Sequence, residues 1–236
     1  MALTHVVVRR NGCILQAMRV GTGLTEPAGR LRKTNGTVND ARPPATRDLG
    51  KLCAAAKKCR ACPLWKTAAQ TVFGEGPKRA RIVFVGEQPG DKEDLEGKPF
   101  VGPAGRMLDK ALEEAGVNRS EAYITNAVKH FKWEPSGKRR LHKKPNSREI
   151  AACHPWLVSE IESIQPNLIV CLGVTAAQSV LQRSVKISEE RGKLLDSPFG
   201  AKVLVTIHPS SLLRIRDQPD KEEAWRAFVR DLKTLR

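Results

Sequence analysis

Cysteines and a short basic run are the residues with most chemistry to offer. Cys59-x-x-Cys62 has the spacing of a chelating pair, and Cys153 and Cys171 follow farther along the chain. Four thiolates can close a tetrahedral zinc site or hold a four-iron cluster, and spacing leaves both open. Cys171, inside an apolar stretch, also fits a small buried hydrophobe. Cys13 and Cys53 are set aside as non-ligands. The run from Gly137 to Pro145, Gly-Lys-Arg-Arg-Leu-His-Lys-Lys-Pro, sets His142 inside the densest positive charge of the chain. By itself such a run is a solvated basic loop that attracts polyanions. Glu87, Gln88 and Asp91 lie in and just after Gly86-Glu-Gln-Pro-Gly90, a tight turn whose amides and Gln88 side chain can face a ligand. Phe100 offers a ring to a planar base, where stacking is worth about 1–3 kcal/mol, or to the core. Asn126 can donate and accept at once, which suits the edge of a pyrimidine, or it caps the next turn. His208, followed by Pro-Ser-Ser-Leu-Leu-Arg, can donate to an anionic leaving group or sit as an ordinary loop residue.

Composition narrows the class of partner. The 236 residues carry 41 Lys and Arg against 25 Asp and Glu, a formal net charge of +16. Such a surface concentrates phosphate-bearing ligands, so nucleic acid is the expected partner. Between Lys129 and Arg148 eight basic side chains face a single acid, Glu134. An apolar fraction of 40% can fill a core. No apolar run reaches the roughly eighteen residues a membrane span needs. The cysteines, without a secretory signal, point to a reducing compartment where they serve as metal ligands; the expected location is the bacterial cytoplasm, at the nucleoid. Residues 1–46, rich in Arg, Gly, Thr and Pro, are expected to be a tail or extension, and 47–236 the folded domain.

Those residues need elements to position them. Periodicity predicts a helix from Asp48 through Ala56, a buried strand over Arg81–Val85, a helix over Arg106–Ala115 and a strand over Ala122–Asn126. A long helix is expected over Ser147–Ile164, a strand over Asn167–Leu172, a helix over Val174–Leu181, a strand over Lys202–Ile207 and a closing helix over Lys221–Leu235. Alternating strands and helices predict an α/β fold, a three-layer α/β/α sandwich around a four-stranded, mostly parallel sheet. In such sheets ligands bind beyond the carboxyl ends of the strands. Glu87, Gln88, Asp91, Asn126, the basic run and His208 all follow strand ends, so one cleft should collect them.

Taken together, Gly-Glu-Gln-Pro-Gly-Asp with Gly-Lys-Pro-Phe-Val-Gly-Pro-Ala-Gly, Thr-Asn-Ala-Val-Lys-His-Phe-Lys, the four cysteines and His-Pro-Ser-Ser resemble the uracil-DNA glycosylase superfamily, in its iron–sulfur, family-four-like branch. The insertion Lys-Arg-Arg-Leu-His-Lys-Lys-Pro resembles the UdgX type. The resemblance covers residues 48–235. It implies a uracil-DNA glycosylase-like fold and a structural [4Fe–4S] cluster on Cys59, Cys62, Cys153 and Cys171. It also implies Phe100 as the stacking ring, Asn126 as the uracil-reading amide, His208 as the leaving-group stabiliser, and Glu87, Gln88 and Asp91 as first-motif residues. Ser210, Ser211 and Leu212 are implied at the turn that enters the DNA groove. His142 resembles the residue that becomes joined to deoxyribose, with Arg140 and Lys143 as its setting.

The function expected is therefore excision of uracil from DNA, single- or double-stranded, by a monomer that stays attached to the abasic sugar. The basic neighbours are expected to keep His142 unprotonated. Two alternatives stand beside it: a multiple-turnover glycosylase in which His142 contacts phosphate, and a non-enzymatic nucleic-acid-binding module with structural zinc.

Overall fold

Ile82–Val85 and Leu168–Leu172 are uninterrupted apolar runs, which is the pattern of strands in a sheet buried on both faces. A computed structural model describes residues 41–236, so the tail expected over 1–46 lies outside the described residues up to residue 40. Ala41 is already part of the domain, with its N–H donating to the Ala152 carbonyl at 3.1 Å. In chain order the elements are α1 (Leu49–Ala56), β1 (Ile82–Gly86), α2 (Asp91–Glu96), α3 (Pro103–Ala115), β2 (Ala122–Asn126), β3 (Trp133–Ser136), β4 (Arg139–His142) and α4 (Ser147–Ile164). They continue with β5 (Leu168–Leu172), α5 (Val174–Leu181), α6 (Ile187–Glu190), β6 (Leu194–Asp196), β7 (Lys202–Thr206), α7 (Pro209–Leu212) and α8 (Gln218–Lys233).

The main sheet has strand order β2-β1-β5-β7-β6. Its first four strands run parallel, and β6 pairs antiparallel with β7 at one edge. The alternation of side chains sorts the strands' residues between two cores. Val83, Val85, Ile169, Cys171, Val203 and Val205 pack on one side with α1, α4 and α5. Phe84, Val170, Leu172 and Leu204 pack on the other with α3 and α8. This is the expected three-layer arrangement.

Three local features depart from the sequence-based expectation. The sheet has five strands, because a three-residue edge strand, β6, is too short for its periodicity to register. The acidic stretch after Gly90 is not all loop but holds α2, whose first turn carries Asp91, Glu93 and Asp94 where the helix dipole favours negative charge. The basic run is not a free loop either. It forms β4 of an antiparallel hairpin with β3, in which Trp133 pairs with His142 and Pro135 with Arg140. Gly137 supplies the left-handed turn residue, at φ 57°.

Long elements follow their end signals. Asn146 and Glu149 form a reciprocal capping box at the start of α4, and Gly116 in the left-handed region closes α3. The carboxyl end of β2 is fastened to α4 by a buried polar cluster. Glu160 accepts from the Tyr123 hydroxyl at 2.9 Å and from Thr125, and pairs with the Lys129 ammonium. Lys129 also donates to the Asn126 carbonyl at 2.6 Å, so the strand end that carries Asn126 is held from beneath.

Candidate active site

Gly86 is the point around which the cleft is built. A Cβ there would lie 2.3 Å from Asn126 Oδ1 and 2.7 Å from Phe100 Cζ, so the amide and the ring converge over a bare backbone. Asn126 stands opposite Gly86 in the parallel register. Its Oδ1 is buried without a hydrogen-bond partner, a costly state that a bound donor would relieve. Phe100 holds a left-handed backbone, φ 57°, unusual for a bulky residue. Gly105 at the start of α3 permits this, since a Cβ there would meet the Phe100 carbonyl oxygen at 1.7 Å.

His208 follows β7 and faces the same ring, with the two ring centroids 6.0 Å apart. Its Nδ1 accepts from the Ser210 backbone N–H at 3.2 Å, which leaves the proton on Nε2. Burial, then the nearby His142 and Arg214, push its pKa down to about 4. The imidazole is thus a neutral N–H donor at neutral pH.

His142 reaches the cleft from the tip of β4. Its Nε2 lies 2.9 Å from Gln88 Nε2 and 3.8 Å from Glu87 Oε1. The Gln88 amide is oriented by backbone: Oε1 accepts from the Lys132 N–H at 3.1 Å, and Nε2 donates to the Lys143 carbonyl at 3.0 Å. Nε2 of Gln88 is therefore the donor, and Nε2 of His142 the lone-pair nitrogen. Glu87 is in turn fixed by the Thr175 hydroxyl, which donates to Oε2 at 2.6 Å. The His142 pKa is lowered, first by burial and then by Arg214, against the opposing pull of Glu87.

The setting of His142 differs from the expectation in one respect. Arg140 and Lys143 do not hold it neutral, because both are spent on carboxylates. Arg140 donates to Asp91 Oδ1 at 2.6 Å and Asp94 Oδ2 at 2.5 Å, with Phe131 and Trp133 beneath its guanidinium. Lys143 pairs with Glu134 at 2.8 Å. Arg140 thereby fastens the hairpin to α2, and Asp91 is an anchor in that pair. At the turn after His208, Ser210 and Ser211 bond locally to His208. Leu212 is fully buried, whereas Leu213 is the exposed apolar tip, 45% accessible. A wedge at this turn would therefore be Leu213, a residue the spacing alone did not separate from its neighbour.

The cysteines gather less completely than their order in the chain implies. Cys59, Cys62 and Cys153 line one small cavity together with His130, Lys129 and Trp156. Cys153 is pushed up to about 12 by burial, with Cys59 and Cys62 near enough to add to the effect. Cys171 lies on β5 among Val85 and Val205, fully buried, and does not line that cavity.

Residues 73–233 match the family described as the uracil DNA glycosylase superfamily. The chain belongs to that superfamily. Among its glycosylase relatives is the type-4 uracil-DNA glycosylase of Thermotoga maritima, 45% identical over 161 residues, covering 68% of this chain and 80% of that one. The type-4 uracil-DNA glycosylase of Saccharolobus solfataricus is 40% identical over 165 residues, covering 66% and 73%. That of Pyrobaculum aerophilum is 36% identical over 174 residues, covering 71% and 85%. Set on this glycosylase fold, the candidate residues occupy the strand ends where the family's parallel sheet opens. Thr175, Arg214 and His130 were not singled out from sequence. A threonine opening a helix, an arginine in a basic chain and a histidine in Val-Lys-His-Phe carry no signal until the fold brings them against Glu87, His142 and the cysteines.

Proposed function

We propose that the protein excises uracil from DNA and remains covalently attached to the abasic sugar through His142. The observation that carries this reading is the His142 imidazole, held at the cleft with its Nε2 lone pair defined by Gln88 and the Glu87 carboxylate 3.8 Å away. A uracil flipped from the stack, at a cost of a few kcal/mol, would lie on Phe100 and satisfy the orphaned Asn126 oxygen with its N3–H. As the glycosidic bond breaks, its electron pair leaves with the base, and His208 Nε2–H donates to the developing uracil anion. Glu87 stabilises the positive sugar electrostatically. His142 Nε2 then forms a bond to C1′, loses its Nδ1 proton to solvent, and the uracil anion takes up a proton. Burial and Arg214 favour the neutral imidazole that this attack requires.

In this reading Cys59, Cys62 and Cys153, which line one cavity, would hold a [4Fe–4S] cluster. Such a group would supply structural cross-linking rather than chemistry at the sugar, joining the segment of Cys59 and Cys62 to α4. Uracil-containing DNA, single- and double-stranded, is the partner of this reading, and the working unit is a monomer in the cytoplasm. A multiple-turnover glycosylase is the second reading, favoured by the names of the relatives above. Incubation with uracil-containing DNA followed by a denaturing gel separates the two. The first predicts a shifted band that survives SDS in the wild type. It also predicts free abasic product without that band in His142→Ser, where water reaches the sugar. A shifted band persisting in His142→Ser would place the nucleophile elsewhere.

A further inference from the structure

Glu87 and His142 stand 3.8 Å apart, too far for a hydrogen bond, and a residue on a third element sets that gap. Thr175, 3% exposed, is the second residue of α5. Its hydroxyl donates to Glu87 Oε2 at 2.6 Å, and among the described residues this is the one hydrogen bond of the Glu87 carboxylate. A hydroxyl has one proton to give and an ionised carboxylate only accepts, so the direction of the bond is fixed. The threonine is itself held still. Gly173, which opens α5 at φ 91°, donates its N–H to the Thr206 carbonyl of β7 at 2.9 Å. The Ser179 hydroxyl donates to the Thr175 carbonyl at 2.8 Å. One carboxylate oxygen is thus tied to the start of α5, while the other faces His142.

Two arrangements of this pair compete. With Glu87 tethered, His142 Nε2 keeps the lone pair that Gln88 addresses at 2.9 Å. With Glu87 released, closing the gap onto a protonated imidazole becomes favourable, because a charge-assisted hydrogen bond is roughly twice as strong as a neutral one. That second arrangement removes the lone pair and engages the carboxylate that should face the sugar. Around the imidazole stand Glu87 on the turn after β1, His208 and Arg214 flanking α7, and Arg140 and Lys143 on its own hairpin. The last two are already paired with Asp91, Asp94 and Glu134. Burial and Arg214 disfavour a positive charge on His142, and Glu87 alone favours it. Protonation therefore turns on where Glu87 is held.

We infer that Thr175 is a positioning residue that holds the Glu87 carboxylate off His142, keeping the imidazole neutral and the carboxylate directed at the sugar. The role rests on the reading of His142 as nucleophile under Proposed function, and the test separates the two. It combines a nuclear magnetic resonance titration of His142 in the free full-length chain with the pH profile of adduct formation on uracil-containing DNA under single-turnover conditions. Thr175→Val keeps the shape of the side chain and removes the hydroxyl. It should raise the His142 midpoint by about 1 and slow adduct formation about tenfold at pH values below both midpoints, with much less effect at about pH 8. Thr175→Ala supplies the same readings should the valine destabilise the fold. Thr175→Ser, which keeps the hydroxyl, should retain the wild-type midpoint. In a Glu87→Gln background the valine should shift nothing, since no carboxylate remains to move. An unchanged or lowered midpoint in Thr175→Val, a midpoint raised as far in Thr175→Ser, or a shift that survives in Glu87→Gln overturns the inference. An equal loss of rate at every pH, the mark of a merely structural role, also overturns it. A wild type that releases uracil without a shifted band overturns the nucleophile reading, and the titration then decides the placement of Glu87 by itself.

Discussion

Because backbone contacts to Lys132 and Lys143 orient the Gln88 amide, the protonation of His142 follows from the hairpin's geometry rather than from its charge. Gln88 presents a donor to Nε2, so a protonated Nε2 would face an N–H with an N–H. Burial and Arg214 act in the same direction, and Glu87 opposes them. The sign of the pH dependence follows. The folded pKa lies below the ordinary value of 6.5, so the neutral, nucleophilic form persists as pH falls through 6.5 and is lost only below it. Rates of adduct formation measured by quenched gel under single-turnover conditions should be flat from pH 8 to about 6.5 and fall at lower pH. A midpoint at or above 6.5 would show that Glu87 wins. At this scale the sequence was legible for residue identity and much less for role. His142, Gln88, Glu87 and Asn126 were identifiable from their place after strands, and Phe100 from its glycine- and proline-flanked loop. That Arg140 serves Asp91 and Asp94 rather than DNA was not, because both acids lie in α2, some fifty positions away, and only folding brings them together.

Elements were legible where they carried a sustained apolar pattern or clear end signals. α4 and α5 agree with their expected ranges residue for residue, since they are bounded by caps, Gly173 and a sustained apolar face. β6 escaped because it has three residues, and α2 and the hairpin strands because their charged and polar residues form no apolar run, whereas the five-residue core strands registered through theirs. What the elements must do at the site is hold strand ends still, and the Glu160 cluster shows how β2 is held. Replacing Glu160 by Ala would leave the Lys129 ammonium buried and unpaired, with the Tyr123 and Thr125 hydroxyls short of an acceptor. The expected loss is about 3–5 kcal/mol in urea unfolding. A loss below about 1 kcal/mol would mean that the cluster contributes nothing to the placement of Asn126.

For the whole molecule, the net charge of +16 is divided unequally between structure and surface. Arg140, Lys143 and Lys129 are tied to carboxylates, whereas Lys138 and Lys144 on the hairpin stay exposed. Affinity for uracil-free DNA should therefore fall steeply with salt, and Lys138→Ala with Lys144→Ala should each lower the slope of log affinity against log salt by about 1. An unchanged slope would remove the hairpin from the DNA-binding face. The central claim is that this same hairpin delivers a nucleophile to the sugar. Its most direct test is mass spectrometry of the protein after reaction with uracil-containing DNA and digestion of both polymers. The account predicts a deoxyribose-derived adduct on the peptide that carries His142, fragmenting to the imidazole itself. An unmodified peptide alongside released uracil and free abasic DNA would contradict it.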